Sequence, residues 1–183
     1  MIFSETTFKI EAVKIAAYLL AENARTAPKS RGQDSLDIVY IDGYELRKLC
    51  EEMKKISEEL NDRVFKRDAE SIEKSQGVLL IGVESRKPLN LNCGGCGYKS
   101  CEEFQKALSV NVKFTGPSCI FKLLDLGIAV GSVAKLSSIL GLDTRIMYTA
   151  GFAAKRLEYV KGDVVLAIPI ATLGKNPFFD RKD

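Results

Sequence analysis

The sequence predicts one α+β domain with a mixed or antiparallel sheet of about four to five strands, flanked by helices. A length of 183 residues is near the usual size of a single domain, so residues 1–183 are treated as one unit. Hydrophobic residues make up 46% of the chain and charged residues 28%, which is typical of a globular protein. Strand-like and helix-like segments follow one another without strict βαβ alternation, and this favours the α+β class.

The first quarter of the chain predicts a helix, a loop and a strand. Residues 6–24 have apolar positions at helical spacing, and Pro28 ends the helix because residues before a proline avoid the helical conformation. Residues 36–41 are rich in branched side chains and predict a strand. Asp42, three positions before Glu45, forms a capping-box pattern that predicts the start of the next helix.

The middle of the chain predicts a short charged helix over residues 62–74 and a strand over residues 77–83. This strand is wholly apolar, which predicts burial on both faces. Residues 86–97 are irregular and glycine-rich, and a short helix is expected over residues 100–108.

The last third predicts one long buried helix and two strands. The helix after Pro117 is apolar nearly all round, and its charged residues favour a buried helix over a membrane span. Residues 144–148 and 163–171 have the composition of strands.

Composition excludes several classes of chemistry. The chain has no histidine, which removes Ser–His and Cys–His catalysis and histidine-ligated zinc or haem. Its 27 basic and 24 acidic residues nearly cancel, and the eight basic and nine acidic residues between Glu45 and Lys74 are interleaved. This pattern is typical of a solvated helical surface and not of a basic stripe for nucleic acid. Residues 1–9 lack the pattern of a secretory signal. Five cysteines in a chain without such a signal indicate reduced thiols or metal ligands rather than disulfides. We therefore expect a cytoplasmic protein whose partners include neither nucleic acid nor a membrane.

The strongest chemical signal is a cluster of cysteines. Cys93, Cys96 and Cys101 lie within nine residues, and Cys119 follows after a further 17. Glycines beside Cys93 and Cys96 allow the backbone to wrap tightly and to turn amide N–H groups inward, which suits the sulfides of an iron–sulfur cluster. Cys50 lies on the apolar stripe of a helix and is expected to be a core residue.

Three interpretations of the four cysteines stay open. They predict an iron–sulfur cluster of the 4Fe–4S type, because such clusters take four cysteine thiolates. A structural zinc ion accepts the same ligands, although zinc sites usually show two pairs of cysteines. The third interpretation is a glycine-rich loop whose cysteines bind nothing.

The segment Cys93-Gly-Gly-Cys96-Gly-Tyr-Lys-Ser-Cys101, with Cys119, resembles the iron–sulfur module C-G-x-C-G-Y-x-x-C…C. That module occurs in electron-transfer subunits and in corrinoid iron–sulfur proteins. The fuller pattern is similar to a prokaryotic family of ferredoxin-domain proteins of unknown function. The resemblance implies an embedded cluster-binding segment at residues 90–122.

Residues 22–33, which include A-P-K-S-R-G-Q, resemble the segment after the first helix of the nitroreductase family. Residues 126–144 and 148–151 are similar to that family's central helix, fourth strand and flavin-facing turn. The resemblance implies a three-layer α+β flavoprotein fold, an intertwined homodimer and FMN as a cofactor. It also implies these flavin contacts: Arg25, Ser30, Arg31, Gln33 and Gly151.

The chain departs from that family at its N-terminus, where the R-x-S-x-R motif that holds the flavin phosphate is absent. Cations elsewhere could replace those contacts by charge-assisted hydrogen bonds. The candidates are Arg25, Lys29, Arg31, Lys175 and Arg181.

The sequence leads to a main hypothesis and two rivals. The main one is an iron–sulfur electron-transfer protein or oxidoreductase with one 4Fe–4S cluster and, if FMN binds, a flavin. Its partner would be an electron donor or acceptor, either a protein or a small molecule. The first rival is a non-enzymatic protein in which zinc or a cluster serves as a structural staple or redox sensor. The second is a flavin enzyme with a vestigial cluster.

Overall fold

The computed structural model describes residues 1–179 of the chain and has the expected α+β architecture. The helices are α1 (Glu5–Thr26), α2 (Gly43–Glu59), α3 (Arg63–Ile72), α4 (Cys101–Lys106), α5 (Ile120–Ile139) and α6 (Tyr148–Arg156). The strands are β1 (Leu36–Asp42), β2 (Gly77–Val83), β3 (Val110–Asn111), β4 (Thr115–Gly116), β5 (Asp143–Thr144) and β6 (Val164–Ala171). A 3₁₀ turn, Ser30–Gly32, follows α1.

The main sheet has the strand order β1-β2-β6-β5, and all its pairings are antiparallel. Strand β2 lies in its interior, pairing with β1 and β6 along its whole length. Every residue of β2 is buried, which confirms the prediction from its uninterrupted apolar run. A second sheet contains only β3 and β4, and two residue pairs are too few for the sequence pattern to reveal.

Two helical layers cover the two faces of the main sheet. Alternate residues of β2 point to opposite faces, as the two-residue period of a strand requires. Val78 and Leu80 pack with α2, α3 and α6, whereas Leu79 and Ile81 pack with α1 and α5. This arrangement confirms the predicted three-layer sandwich. No helix within residues 1–179 is both long and apolar enough to cross a membrane.

The prediction of a strand over residues 144–148 is wrong for most of these residues. Strand β5 covers only Asp143–Thr144, Met147 makes a single bridge to Ala167, and α6 begins at Tyr148. Three alanines in α6 are completely buried at helical spacing, so packing against the sheet selects the helix: Ala150, Ala153 and Ala154.

The expected capping box of α2 is not formed. Asp42 occupies the N-cap position, but its side chain accepts no hydrogen bond from the helix. The carboxylate instead lies 3.8 Å from the Lys14 ammonium on α1. The helix therefore begins where the pattern predicts without the hydrogen bonds that the pattern describes.

Candidate metal centre

Cys93, Cys96, Cys101 and Cys119 all line one cavity, which we call the cysteine cavity. Its remaining walls are largely apolar and include Leu89, Leu91, Tyr98, Ile120 and Phe121. The structure therefore brings together the four side chains that the sequence singled out, although Cys119 comes from a different element.

Two glycines shape the loop that carries the first three cysteines. Gly94 and Gly97 have φ angles of 70° and 88°, which residues with a Cβ rarely adopt. The N–H of Gly97 donates to the carbonyl of Gly94 at 2.9 Å and closes a tight turn. This turn brings Cys93 and Cys96 to the same side of the loop, where both border the cysteine cavity.

Asn92 closes the same loop from its other end. Its Oδ1 accepts the Cys101 N–H at 2.8 Å, and its own N–H lies 3.4 Å from the Cys101 Sγ. Hydrogen bonds to sulfur are one of the means by which a protein sets the potential of a cluster. Our sequence reasoning missed Asn92, because a single asparagine beside a cysteine has no distinctive pattern.

The loop packs directly against the start of α5. A Cβ on Gly95 would lie 2.8 Å from the Ile120 Cγ2, which is closer than side-chain atoms normally approach. Glycine at this position therefore allows the contact that brings the loop next to Cys119, the residue before α5.

Cys119 is held in place from the end of β2. Its N–H donates to the Ser85 carbonyl at 2.8 Å, and the hydroxyls of Ser85 and Ser118 are also 2.8 Å apart. Ser85 is completely buried, so this connection lies in the interior. Nothing in the sequence around Ser85 indicates a contact with a residue 34 positions later.

The four thiols differ in their access to solvent. Cys93 is exposed and Cys96 is half-buried, whereas Cys101 and Cys119 are buried. Within residues 1–179, no three histidine, cysteine or acidic side chains are arranged around the position of a single metal ion. Four thiols on one largely apolar cavity, with an N–H directed at one sulfur, are a donor set that fits an iron–sulfur cluster.

Cys50 takes no part in this site, as expected. It is 1% exposed and belongs to the core between the sheet and α2. Burial raises the pKa of its thiol to about 12, so it stays protonated at neutral pH. A protonated thiol is neither a good nucleophile nor a metal ligand.

Two of the residues expected to contact flavin direct their polar groups to the protein. The Arg25 guanidinium donates to Asp34 Oδ2 at 2.6 Å and to the Leu36 carbonyl at 2.9 Å. Burial raises the pKa of the Asp34 carboxyl, but hydrogen bonds from the Leu36 N–H and Arg25 outweigh this effect and lower the pKa. The N–H and hydroxyl of Ser30 both donate to Asp125 Oδ1 at 2.8 Å.

Arg31 and Lys29, in the same loop, also direct their polar groups to the protein. The Arg31 guanidinium donates to the Leu89 carbonyl at 2.9 Å, and the Lys29 ammonium donates to carbonyls at the end of α1. Gln33 is exposed beside them. Lys175 lies in the C-terminal segment, and Arg181 falls outside the described residues.

Gly151 lies on the other side of the main sheet, within α6. A Cβ here would overlap the Val165 carbonyl oxygen and lie 2.7 Å from the carbonyl carbon. The backbone of β6 is therefore what approaches Gly151 closely. Binding of FMN by Gly151 and by residues 25–33 stays a prediction.

Two family models match the two parts of the chain that form the cysteine cavity. Residues 90–110, with the first three cysteines, match a model described as "Putative Fe-S cluster". Residues 115–181, with Cys119, match a model described as "Uncharacterized protein containing a ferredoxin domain (DUF2148)". These matches support an iron–sulfur protein.

Solved structures with a similar fold include two nitroreductases. The nitroreductase CinD from Lactococcus lactis, in complex with chloramphenicol, aligns with a TM-score of 0.61 at 14% identity, over 88% of this chain and 79% of CinD. A nitroreductase with bound FMN from Desulfitobacterium hafniense aligns with a TM-score of 0.54, also at 14% identity, over 87% of this chain and 78% of its own. These alignments show a nitroreductase-like fold.

A relative in sequence covers nearly the whole chain. A protein of Archaeoglobus fulgidus, described as an uncharacterized protein, is 51% identical over 181 residues, which are 99% of this chain and 98% of the relative. Together with the two family models, this relative shows that the protein belongs to the family of uncharacterized proteins containing a ferredoxin domain.

Proposed function

We propose that the protein is an electron carrier or oxidoreductase that binds one 4Fe–4S cluster through Cys93, Cys96, Cys101 and Cys119. The observation that carries the proposal is that all four thiols line the same cavity. A cluster of this type takes one thiolate at each of its four iron atoms. When bound, it would supply the exchange of single electrons.

The protein's own groups would set the properties of such a cluster. Leu89 is a buried apolar wall beside the thiols, and the Asn92 N–H is directed at the Cys101 sulfur. Burial and hydrogen bonds to sulfur are both determinants of cluster potential. Cys93 is exposed, so electrons would enter or leave on its side of the cavity.

The partner in this proposal is an electron donor or acceptor, and the compartment is the cytoplasm, where thiols are kept reduced. Electron exchange can be tested directly. After anaerobic reconstitution with iron and sulfide, we expect a broad visible absorption that bleaches on reduction and returns on oxidation. A colourless protein that binds one zinc ion would contradict the proposal and favour a structural site.

FMN is the second cofactor that the fold favours, since a solved structure of similar fold contains it. Arg25, Ser30 and Arg31 donate to oxygens of the protein itself, and contact of these residues with FMN stays a prediction. We therefore derive no flavin-dependent step. Flavin released from the denatured protein and measured by fluorescence shows whether FMN binds.

We also infer that the protein forms a homodimer through the exposed face of α5. Gly127 and Gly131 lie on this face, and a Cβ added to either would meet no atom within 4 Å. Four large apolar residues share the face and are 37–51% exposed: Ile120, Leu123, Leu124 and Ile128. A two-fold dimer buries the same patch on both subunits, so this uncharged stretch suits a second copy of the chain.

Replacing Ile128 with lysine is expected to convert the dimer to monomers, because the new charge would be buried in the interface. Sedimentation equilibrium measures the change as a halving of the molar mass. Leu60→Lys is the matched control, since Leu60 is similarly exposed but lies at the end of α2. A wild-type protein that stays monomeric at all concentrations would refute the inferred dimer.

A further inference from the structure

One arginine outside the cysteine cavity connects the two segments that carry its cysteines. The Arg86 guanidinium donates to the Ala107 carbonyl at 2.8 Å and to the Pro117 carbonyl at 3.3 Å. Ala107 directly follows α4, which begins at Cys101, and Pro117 lies two residues before Cys119. The guanidinium therefore joins the two ends of residues 107–117, the connecting loop between the third and fourth cysteines.

The position of Arg86 is fixed by further contacts. The backbone N–H of Arg86 donates to Asp163 Oδ2 at 2.8 Å, and this bond holds the turn after β2 near the start of β6. Its guanidinium also lies over the Phe104 ring, 5.1 Å from the centroid. Phe104 is completely buried and packs edge-to-face against Tyr98, a wall of the cysteine cavity.

Lys113 and Phe114 hold the middle of the connecting loop to the core, because Lys113 Nζ lies 3.4 Å from Asp62 Oδ2 and Phe114 packs edge-to-face against Phe152. These contacts do not join Ala107 to Pro117. Leu108, Val110 and Val112 are 59–89% exposed, and strands β3 and β4 pair through only two residue pairs. At its far end, Thr115 donates its N–H to the Asp163 carbonyl at 3.0 Å and its hydroxyl accepts from Lys155 at 2.7 Å. Those bonds hold the end near Cys119 but do not reach α4.

We propose that Arg86 is a positioning residue that sets the placement of Cys101 relative to Cys119. The proposal rests on the function proposed above, in which both thiols bind one cluster. A planar guanidinium can donate to two carbonyls while it stacks on an aromatic ring, which the point charge of a lysine cannot reproduce. Without the bridge, the two segments would be joined mainly by the packing of the cysteine loop against Ile120, and the fourth ligand would be lost more often.

The test uses Arg86→Met, which keeps an apolar stem but removes the donors, and the neighbouring Lys87→Met as its control. The Lys87 side chain is 75% exposed and pairs with Glu84 on the surface. In the metal-free protein, we expect faster amide hydrogen exchange at residues 104–107 and 117–119 in Arg86→Met alone. In the iron-loaded protein, we expect iron release to a chelator to be about tenfold faster, the effect of one or two lost hydrogen bonds.

In Arg86→Lys, the increases in amide exchange and in iron release should both be smaller than in Arg86→Met, because an ammonium can still donate to one of the carbonyls. It also provides the measurement if Arg86→Met does not fold. Exchange and iron release that match the wild type in both variants would overturn the proposal. If Arg86→Met exchanges faster but the wild type binds no iron and sulfide, the proposed function is contradicted, whereas the role of Arg86 in joining the two segments is supported.

Discussion

Replacing Cys119 with serine is expected to abolish cluster binding while leaving the protein folded. Cys119 is the N-cap residue of α5 and its side chain makes no capping hydrogen bond, whereas serine is among the preferred N-caps. The free energy of unfolding of the metal-free protein should therefore change by less than about 1 kcal/mol. Iron and sulfide analysis after reconstitution, together with urea unfolding of the metal-free protein, measures both quantities.

Cys50→Ala is the matched control and should show the opposite pattern. Removal of a buried sulfur from the core is expected to cost about 1 kcal/mol of stability, and iron binding should be unchanged. Retention of a full cluster by Cys119→Ser would exclude this thiol as a ligand. Loss of the cluster in Cys50→Ala without general unfolding would show that our assignment of the five cysteines is wrong.

Replacing Gly151 with alanine is expected to destabilise the protein by about 3 kcal/mol, the upper part of the range for overpacked cores. The added Cβ would overlap the Val165 carbonyl oxygen and lie close to its carbonyl carbon. Both atoms belong to the β6 backbone, which pairs with β2 and cannot move away like a flexible side chain. Urea unfolding monitored by circular dichroism measures the loss.

Gly174→Ala is the control for this substitution, because a Cβ at Gly174 would meet no atom within 4 Å. Its stability should match that of the wild type. A stable Gly151→Ala protein with altered flavin binding would contradict the packing role and favour the contact implied by the resemblance to nitroreductases.

Much of the fold could be predicted because its elements depend on local periodicity. Strand β2 is a continuous apolar run, and α1 has buried apolar residues at helical spacing and ends before a proline, so each pattern identifies one structure. The start of α6 could not be predicted. Tyr148 and the residues before it suit a strand, and only burial of the alanines against β6 selects the helix.

For the candidate site too, one part could be predicted from the sequence and another part could not. The close spacing of Cys93, Cys96 and Cys101 indicates the cysteine cavity, because three thiols on a glycine-rich loop can turn toward one common centre. Ser85, which holds Cys119, and Arg86, which bridges Ala107 and Pro117, act through hydrogen bonds with backbone groups more than 20 positions away. Such bonds depend on the folded arrangement and leave no pattern in a single sequence.

Binding of one iron–sulfur cluster by four sulfur atoms is measured by counting iron and acid-labile sulfide per chain. After anaerobic reconstitution and removal of unbound metal, we expect about four of each per wild-type chain. A chain that binds neither, or that binds a single metal ion without sulfide, would contradict the proposed function.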